Sequence, residues 1–166
     1  MAQSGAQGTE GTPRHMRTYL VIMDETPEAK VALRFASRRA AKTGGSVHLI
    51  ALVPKQAFVA FGGVQATIEE EAKSRAEVLV MAAAGSLLAE SGRMPSISVR
   101  VGDGAKVVQD YLTENAQIAA LVLGAAAEGS PGPLVHHFAN HKAGQLPCPL
   151  MIVPGGLSEE DIDALS

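Results

Sequence analysis

The sequence predicts a single α/β domain built on a five-stranded, doubly wound parallel sheet with strand order 3-2-1-4-5. Three observations carry this expectation. Five short apolar runs rich in Val, Ile and Leu alternate with four helix-period segments, the pattern of repeated βαβ units. Each run stops at Asp, Pro or Gly: Asp24, Pro54, Gly102, Gly124 and Pro154. The chain has 166 residues, one domain's length, with 46% hydrophobic residues but only 4% aromatics and no Trp, so small and branched aliphatics must fill the core. Right-handed crossovers then place the first strand centrally, beside the fourth.

Residues 1–16, rich in Gly, Gln, Ser and Thr, read as a flexible leader before a domain over 17–156. The first strand is Thr18–Met23. Thr26-Pro27-Glu28 opens a helix: Thr26 caps it, Pro27 suits the first helical position, and Glu28 complements the dipole. Ala32, Phe35, Ala36 and Ala40 give that helix an apolar stripe, and Gly44-Gly45 ends it. Arg34, Arg38, Arg39 and Lys42 form a basic stripe, expected to be a solvated face.

The second strand is Ser46–Val53. A loop over 54–66 carries Phe58 and Phe61 beside Gly62-Gly63, a composition that suits a lid or a partner patch. Thr67-Ile68-Glu69-Glu70 reads as a capping box, starting a long helix with Ile68, Ala72, Ala76, Leu79, Ala83 and Leu87 on its inner stripe. A strand over Ser96–Val101 leads through Gly102-Asp103-Gly104 into a helix ending near Asn115. Ile118–Leu123 is the fourth strand, about Leu134–Gly144 the fourth helix, and Leu150–Val153, between Pro149 and Pro154, the fifth strand. The acidic tail over 157–166 is expected to fray.

In such sheets ligands sit beyond the carboxyl ends of the strands, where strand order reverses. That rule gathers Asp24, the end of the second strand at Val53, and the loop after Gly124 around one cleft.

Five marks in order resemble the universal stress protein family: YLVIMDETPEAKVALRFA, VHLIALVP, VRVGDGAKVV, ALVLG and PCPLMIV. The resemblance spans nearly the whole ordered chain and implies a Rossmann-like fold of the adenine nucleotide alpha hydrolase type. ATP-binding members carry Gly-x2-Gly-x9-Gly-Ser/Thr after the fourth strand, where glycines let backbone N–H groups approach phosphates. Here Gly124 matches the first element. Ala127 stands at the second, and the closing pair falls on His136-His137, one residue early. Gly129 and Gly132 restore a Gly-x-x-Gly spacing in a displaced register, with Ser130 between them.

The resemblance therefore implies a cytoplasmic stress-response module that binds or signals without catalysis and carries a degraded ATP motif. The alternative is an ATP- or AMP-binding switch using the loop after the fourth strand, with slow hydrolysis at most. The residues assigned to a nucleotide cleft are Asp24, Val53, Gly124, Ala127, Gly129, Ser130, His136 and His137. ATP is expected to bind weakly or not at all: Ala127 obstructs close approach, a hydroxyl is missing at 137, and Glu128 adds negative charge. Cationic His136 and His137 could replace lost donors on acidification. The resemblance also implies a homodimer paired antiparallel through Leu150–Val153.

Other chemistries lack their parts. Asp24-Glu25 diverge as neighbours leaving a strand and make no catalytic pair. Ser130 has Glu128 where a nucleophile elbow needs Gly. His136, His137 and His141 have no local acidic or Cys companion for a metal, and none is assigned; His48 reads as a packed strand residue. No dinucleotide fingerprint follows the first strand. The net charge of -3 gives no general pull toward nucleic acid or anionic lipid, and no apolar stretch is long enough to span a bilayer. A lone Cys148 makes no intrachain disulfide, and the chain's start lacks an apolar signal core, so a reducing cytoplasm is expected.

Overall fold

The computed structural model describes residues 16–55 and 62–166, the stretch 62–66 as backbone only. Five strands, β1 (Thr18–Met23), β2 (Ser46–Val53), β3 (Ser96–Val101), β4 (Ile118–Ala125) and β5 (Leu150–Pro154), form one sheet in the order β3-β2-β1-β4-β5. Every pairing is parallel. The expected order and parallel pairing are thus found.

Successive residues of a strand face opposite sides of a sheet, and β1 distributes its side chains between two cores accordingly. Tyr19, Val21 and Met23 join Leu49, Ala51, Ala120 and Val122 on one face, covered by α1 (Pro27–Thr43) and α2 (Gly62–Ser91). Leu20 and Ile22 join Ile50, Leu121 and Leu123 on the other, covered by α3 (Gly104–Glu114) and α4 (Pro133–His137). β1, β2 and β4 are buried on both faces, which is why they read as unbroken apolar runs.

The caps of α1 are those its sequence predicts. Thr26 Oγ1 accepts a hydrogen bond from Ala29 N at 3.3 Å, and Gly44 takes the left-handed conformation (φ 66°) that closes the helix. In α3, Asp103 caps through the Lys106 N–H at 2.9 Å. After α4 the chain widens into a π-helical turn, Phe138–Lys142, then a 3-10 turn, Ala143–Gln145. Phe138 at the junction is fully buried.

Four expectations fail for physical reasons. The long helix starts at Gly62, so Thr67-Ile68-Glu69-Glu70 lies inside it. A capping box is a local preference, and a helix that continues upstream overrides it. Its inner stripe centres on Val80, Ala84 and Leu87, while Ile68 is 43% exposed. The acidic tail is not frayed: Glu159–Leu165 is a helix, α5, capped by Ser158, whose Oγ accepts from Asp161 N at 3.1 Å. It docks on the basic stripe of α1, so that stripe is not a solvated face. Arg34 forks onto Asp163 (Nε to Oδ1 3.1 Å, Nη2 to Oδ2 2.9 Å), joined by Arg38 Nε at 3.0 Å. Phe58 and Phe61 lie outside the described residues.

Candidate functional site

Because β1 is central and its last residue, Met23, pairs Ala51 two residues before β2 ends, Asp24 lies between the ends of β2 and β4. The turn that follows orients it. Asp24 Oδ1 accepts from the Thr26 N–H at 2.8 Å and from the Thr26 hydroxyl, and the same hydroxyl caps α1. This is a short polar side chain satisfying the backbone of a strand-to-helix turn.

The expected single cleft is split in two about Asp24. On the β4 side is a cavity of about 130 Å³. Asp24, Thr26, Glu28, Gly124 and the stretch from Pro131 to Val135 line it. On the β2 side is a shallower cleft of about 300 Å³, where Asp24 and Glu25 face Val53, Pro54, Leu79 and Arg75. The structure therefore brings Asp24 together with Gly124 on one side and with Val53 on the other. Ala127, Gly129 and Ser130 are exposed on the loop after β4, and neither His136 nor His137 lines either cavity.

Gly124 has a packing role that the sequence reading missed. A Cβ there would lie 2.0 Å from the carbonyl oxygen of Glu28, because the first turn of α1 rests directly on β4. Gly155 does the same from the far side, its missing Cβ falling 2.6 Å from Ala125 O and 2.9 Å from Glu28 Cβ. The sequence signal was present in Gly155-Gly156 straight after the fifth strand. The displaced glycines are conformationally required: Gly129 (φ 74°) and Gly132 (φ 110°) both adopt backbone that side chains disfavour. The loop closes around Gly129 through Ala126 N donating to Pro131 O at 3.2 Å.

Electrostatically the smaller cavity is acidic to neutral: among its described lining residues, Asp24 and Glu28 are the charged groups. In the larger cleft Arg75 supplies a cation. The histidine cluster is a stack of ring edges, with His136 and His141 5.9 Å apart and His137 and His141 6.3 Å apart. No group of three or more ligating side chains that could hold a metal occurs among the described residues. His48 is half-buried, its Nδ1 3.2 Å from the Tyr111 hydroxyl, and burial lowers its pKa. Burial also raises the Cys148 thiol, which disfavours the reactive thiolate.

With this geometry in place, comparison with known proteins decides the family: the sequence model of the universal stress protein family matches residues 16–154. The chain belongs to the universal stress protein family. Among solved structures it is similar to the universal stress protein UspA from Lactobacillus plantarum (17% identity, TM-score 0.66, covering 82% of this chain and 97% of that one). A universal stress protein family member from Burkholderia pseudomallei is as similar (16% identity, TM-score 0.66, 84% and 97% covered). A family member from Arabidopsis thaliana with AMP bound shares the fold at a lower similarity (14% identity, TM-score 0.56, 83% and 91% covered). No curated protein matches the chain. At these identities the structures speak to the fold, and the site of this universal stress protein has to be argued from its own residues. The family match stops at 154, so α5 lies beyond it.

Proposed function

We propose that this universal stress protein is a non-enzymatic binding or signalling module whose strand-end site discriminates against triphosphates. The observation that carries the reading is the lining of the cavity beside Gly124. It is small, about 130 Å³, and carries Asp24 and Glu28 with no described cation. Drug-sized ligands occupy roughly 300–1,000 Å³, and phosphate recognition calls for donors and positive charge. Glu128 on the loop adds a further carboxylate, and Ala127 stands where the family's phosphate loop carries glycine. The loop's positive-φ glycines are at 129 and 132 instead.

A second reading is favoured by the likeness to the structure with AMP bound. In it the larger cleft, with Asp24, Val53 and the Arg75 cation, takes a nucleoside monophosphate and the protein acts as an adenine nucleotide switch. Nucleotide released from acid-denatured purified protein, and calorimetric titration with ATP plus magnesium and with AMP at pH 6 and pH 8, separate the two. The first reading expects little ATP binding at either pH, since neither His136 nor His137 lines the cavities. Micromolar ATP affinity at both pH values would refute it, while AMP binding alone would favour the second.

Two further properties belong to the proposal. β5 is an edge strand with Ile152 42% exposed, and an unpaired apolar edge invites a second copy across a two-fold axis. The homodimer is therefore assigned to Leu150–Val153. A cytoplasmic setting is supported by the lone, half-buried Cys148. No helix among the described residues is long and apolar enough to cross a membrane.

A further inference from the structure

The helix beyond the family span carries the inference. α5 is seven residues long, below the length at which a helix persists unaided in water, so its helicity depends on docking. Its contacts with α1 are specific. Asp163 sits between Arg34 and Arg38, Glu159 Oε2 is 3.2 Å from Arg34 Nη1, and Lys42 Nζ donates to the carbonyls of Asp163 (3.1 Å) and Ser166 (2.5 Å). Ile162, 1% exposed, is the apolar anchor. Contacts ascend together along both helices, from Arg34 against Glu159 to Lys42 against Ser166, so the two run in the same sense.

Arg34, Arg38 and Lys42 recur every four residues on α1, making one basic stripe. Glu159 and Asp163 recur at the same interval on α5, beside Ile162. The complementarity is thus a pattern: acidic, two spacers, aliphatic, acidic. We propose that this face of α1 is an interaction surface for short acidic amphipathic helices, occupied in the resting chain by its own α5 as an intramolecular competitor. A partner segment carrying the same pattern would displace α5 and take its place on Arg34, Arg38 and Lys42.

The latch is weak enough to be displaced. The part-buried fork of Arg34 on Asp163 and the burial of one isoleucine together favour the docked form by roughly tenfold to a hundredfold. With a tether giving an effective concentration on the order of millimolar, a free copy of the segment should bind an emptied surface with Kd of roughly tens of micromolar. Against the closed chain its apparent affinity falls by the docking ratio, roughly tenfold or more.

The test uses the full chain and a fluorescein-labelled synthetic peptide with the sequence of residues 155–166. Asp163→Arg empties the surface while leaving its basic residues intact; Arg34→Glu empties the surface and removes its key cation. Anisotropy titration should show Asp163→Arg binding the peptide at least tenfold more tightly than wild type, and Arg34→Glu binding it no better than wild type. Hydrogen exchange at residues 159–166 should be fast in both variants. Excess unlabelled peptide should accelerate it in wild type. Ile162→Asp serves as the second emptied variant, so a misfolded Asp163→Arg does not end the experiment. Equal peptide affinity for wild type, Asp163→Arg and Ile162→Asp, binding by Arg34→Glu as tight as by Asp163→Arg, or α5 amides in wild type that ignore excess peptide would each overturn the proposal.

Discussion

Replacing Gly124 with alanine separates a packing role for this glycine from a ligand role. The added methyl would sit 2.0 Å from Glu28 O and 2.4 Å from its carbonyl carbon. Ordinary contact needs about 3.5 Å, so either the first turn of α1 or the end of β4 must shift by more than an ångström. The obstacle is backbone, which cannot rotate away as a side chain would. Overpacking a close-fitted interior costs typically about 1–3 kcal/mol, and a backbone obstacle belongs at the upper end. For a chain of 166 residues each kcal/mol is worth roughly 2–4 °C in Tm, so Gly124→Ala should melt about 6–12 °C lower. Differential scanning calorimetry of ligand-free protein reads this directly. Gly129→Ala is the control: its Cβ meets nothing within 4 Å, so only its positive φ of 74° is strained, at about 1–2 kcal/mol. A Gly124→Ala protein that melts within 2 °C of wild type would refute the packing argument.

Other outcomes follow from the same structure. Gly85 lies within α2, exposed and with nothing within 4 Å of an added Cβ, so Gly85→Ala should raise Tm by about 1–4 °C through a gain of about 0.5–1 kcal/mol. Burial lowers the His48 pKa, so the folded state prefers neutral imidazole; stability is full above about pH 6.5 and declines as pH falls toward the folded value. Urea midpoints at pH 7.5 and 5.5 should show that decline, and His48→Gln, which keeps a partner for the Tyr111 hydroxyl without titrating, should reduce it. Ile152→Asp at the β5 edge should convert the proposed dimer to monomer by light scattering at micromolar concentration; a dimer that survives would move the interface elsewhere.

The sheet was readable because its strands satisfy local and global requirements at once. β2 and β4 are buried on both faces, so an unbroken run such as Ile118–Leu123 is visible without knowing its neighbours. Right-handed crossovers then ordered the strands. The tail was not readable for the opposite reason. Ser158 and Asp161 give a cap signal, but what holds α5 is its docking on α1, where Ile162 is buried and Asp163 meets Arg34 and Arg38 more than a hundred positions earlier, and no local window contains both. The same holds at the site. Asp24 could be placed because a strand ends there. That Gly124 faces Glu28 O depends on how α1 lies across β4, which spacing does not encode. The split of the expected cleft follows from that too: Asp24, tied back to Thr26, occupies the middle of the region the sequence reading treated as open.

The contact of α1 with Gly124 and Gly155 has a consequence for how this end of the molecule can diversify. Where two elements meet through main-chain atoms, there is no side-chain volume to trade, so the rim formed by β4, β5 and the first turn of α1 keeps one spacing whatever surrounds it. The stretch 126–132 spans that rim and is closed on itself by Ala126 N to Pro131 O, while Gly155 N donates to Ala125 O at 2.7 Å just beneath. It behaves as a replaceable cassette on a fixed frame. Within it Gly129 and Gly132 are fixed by their positive φ, whereas Ala127, Glu128 and Ser130 are exposed positions whose side chains the frame does not constrain.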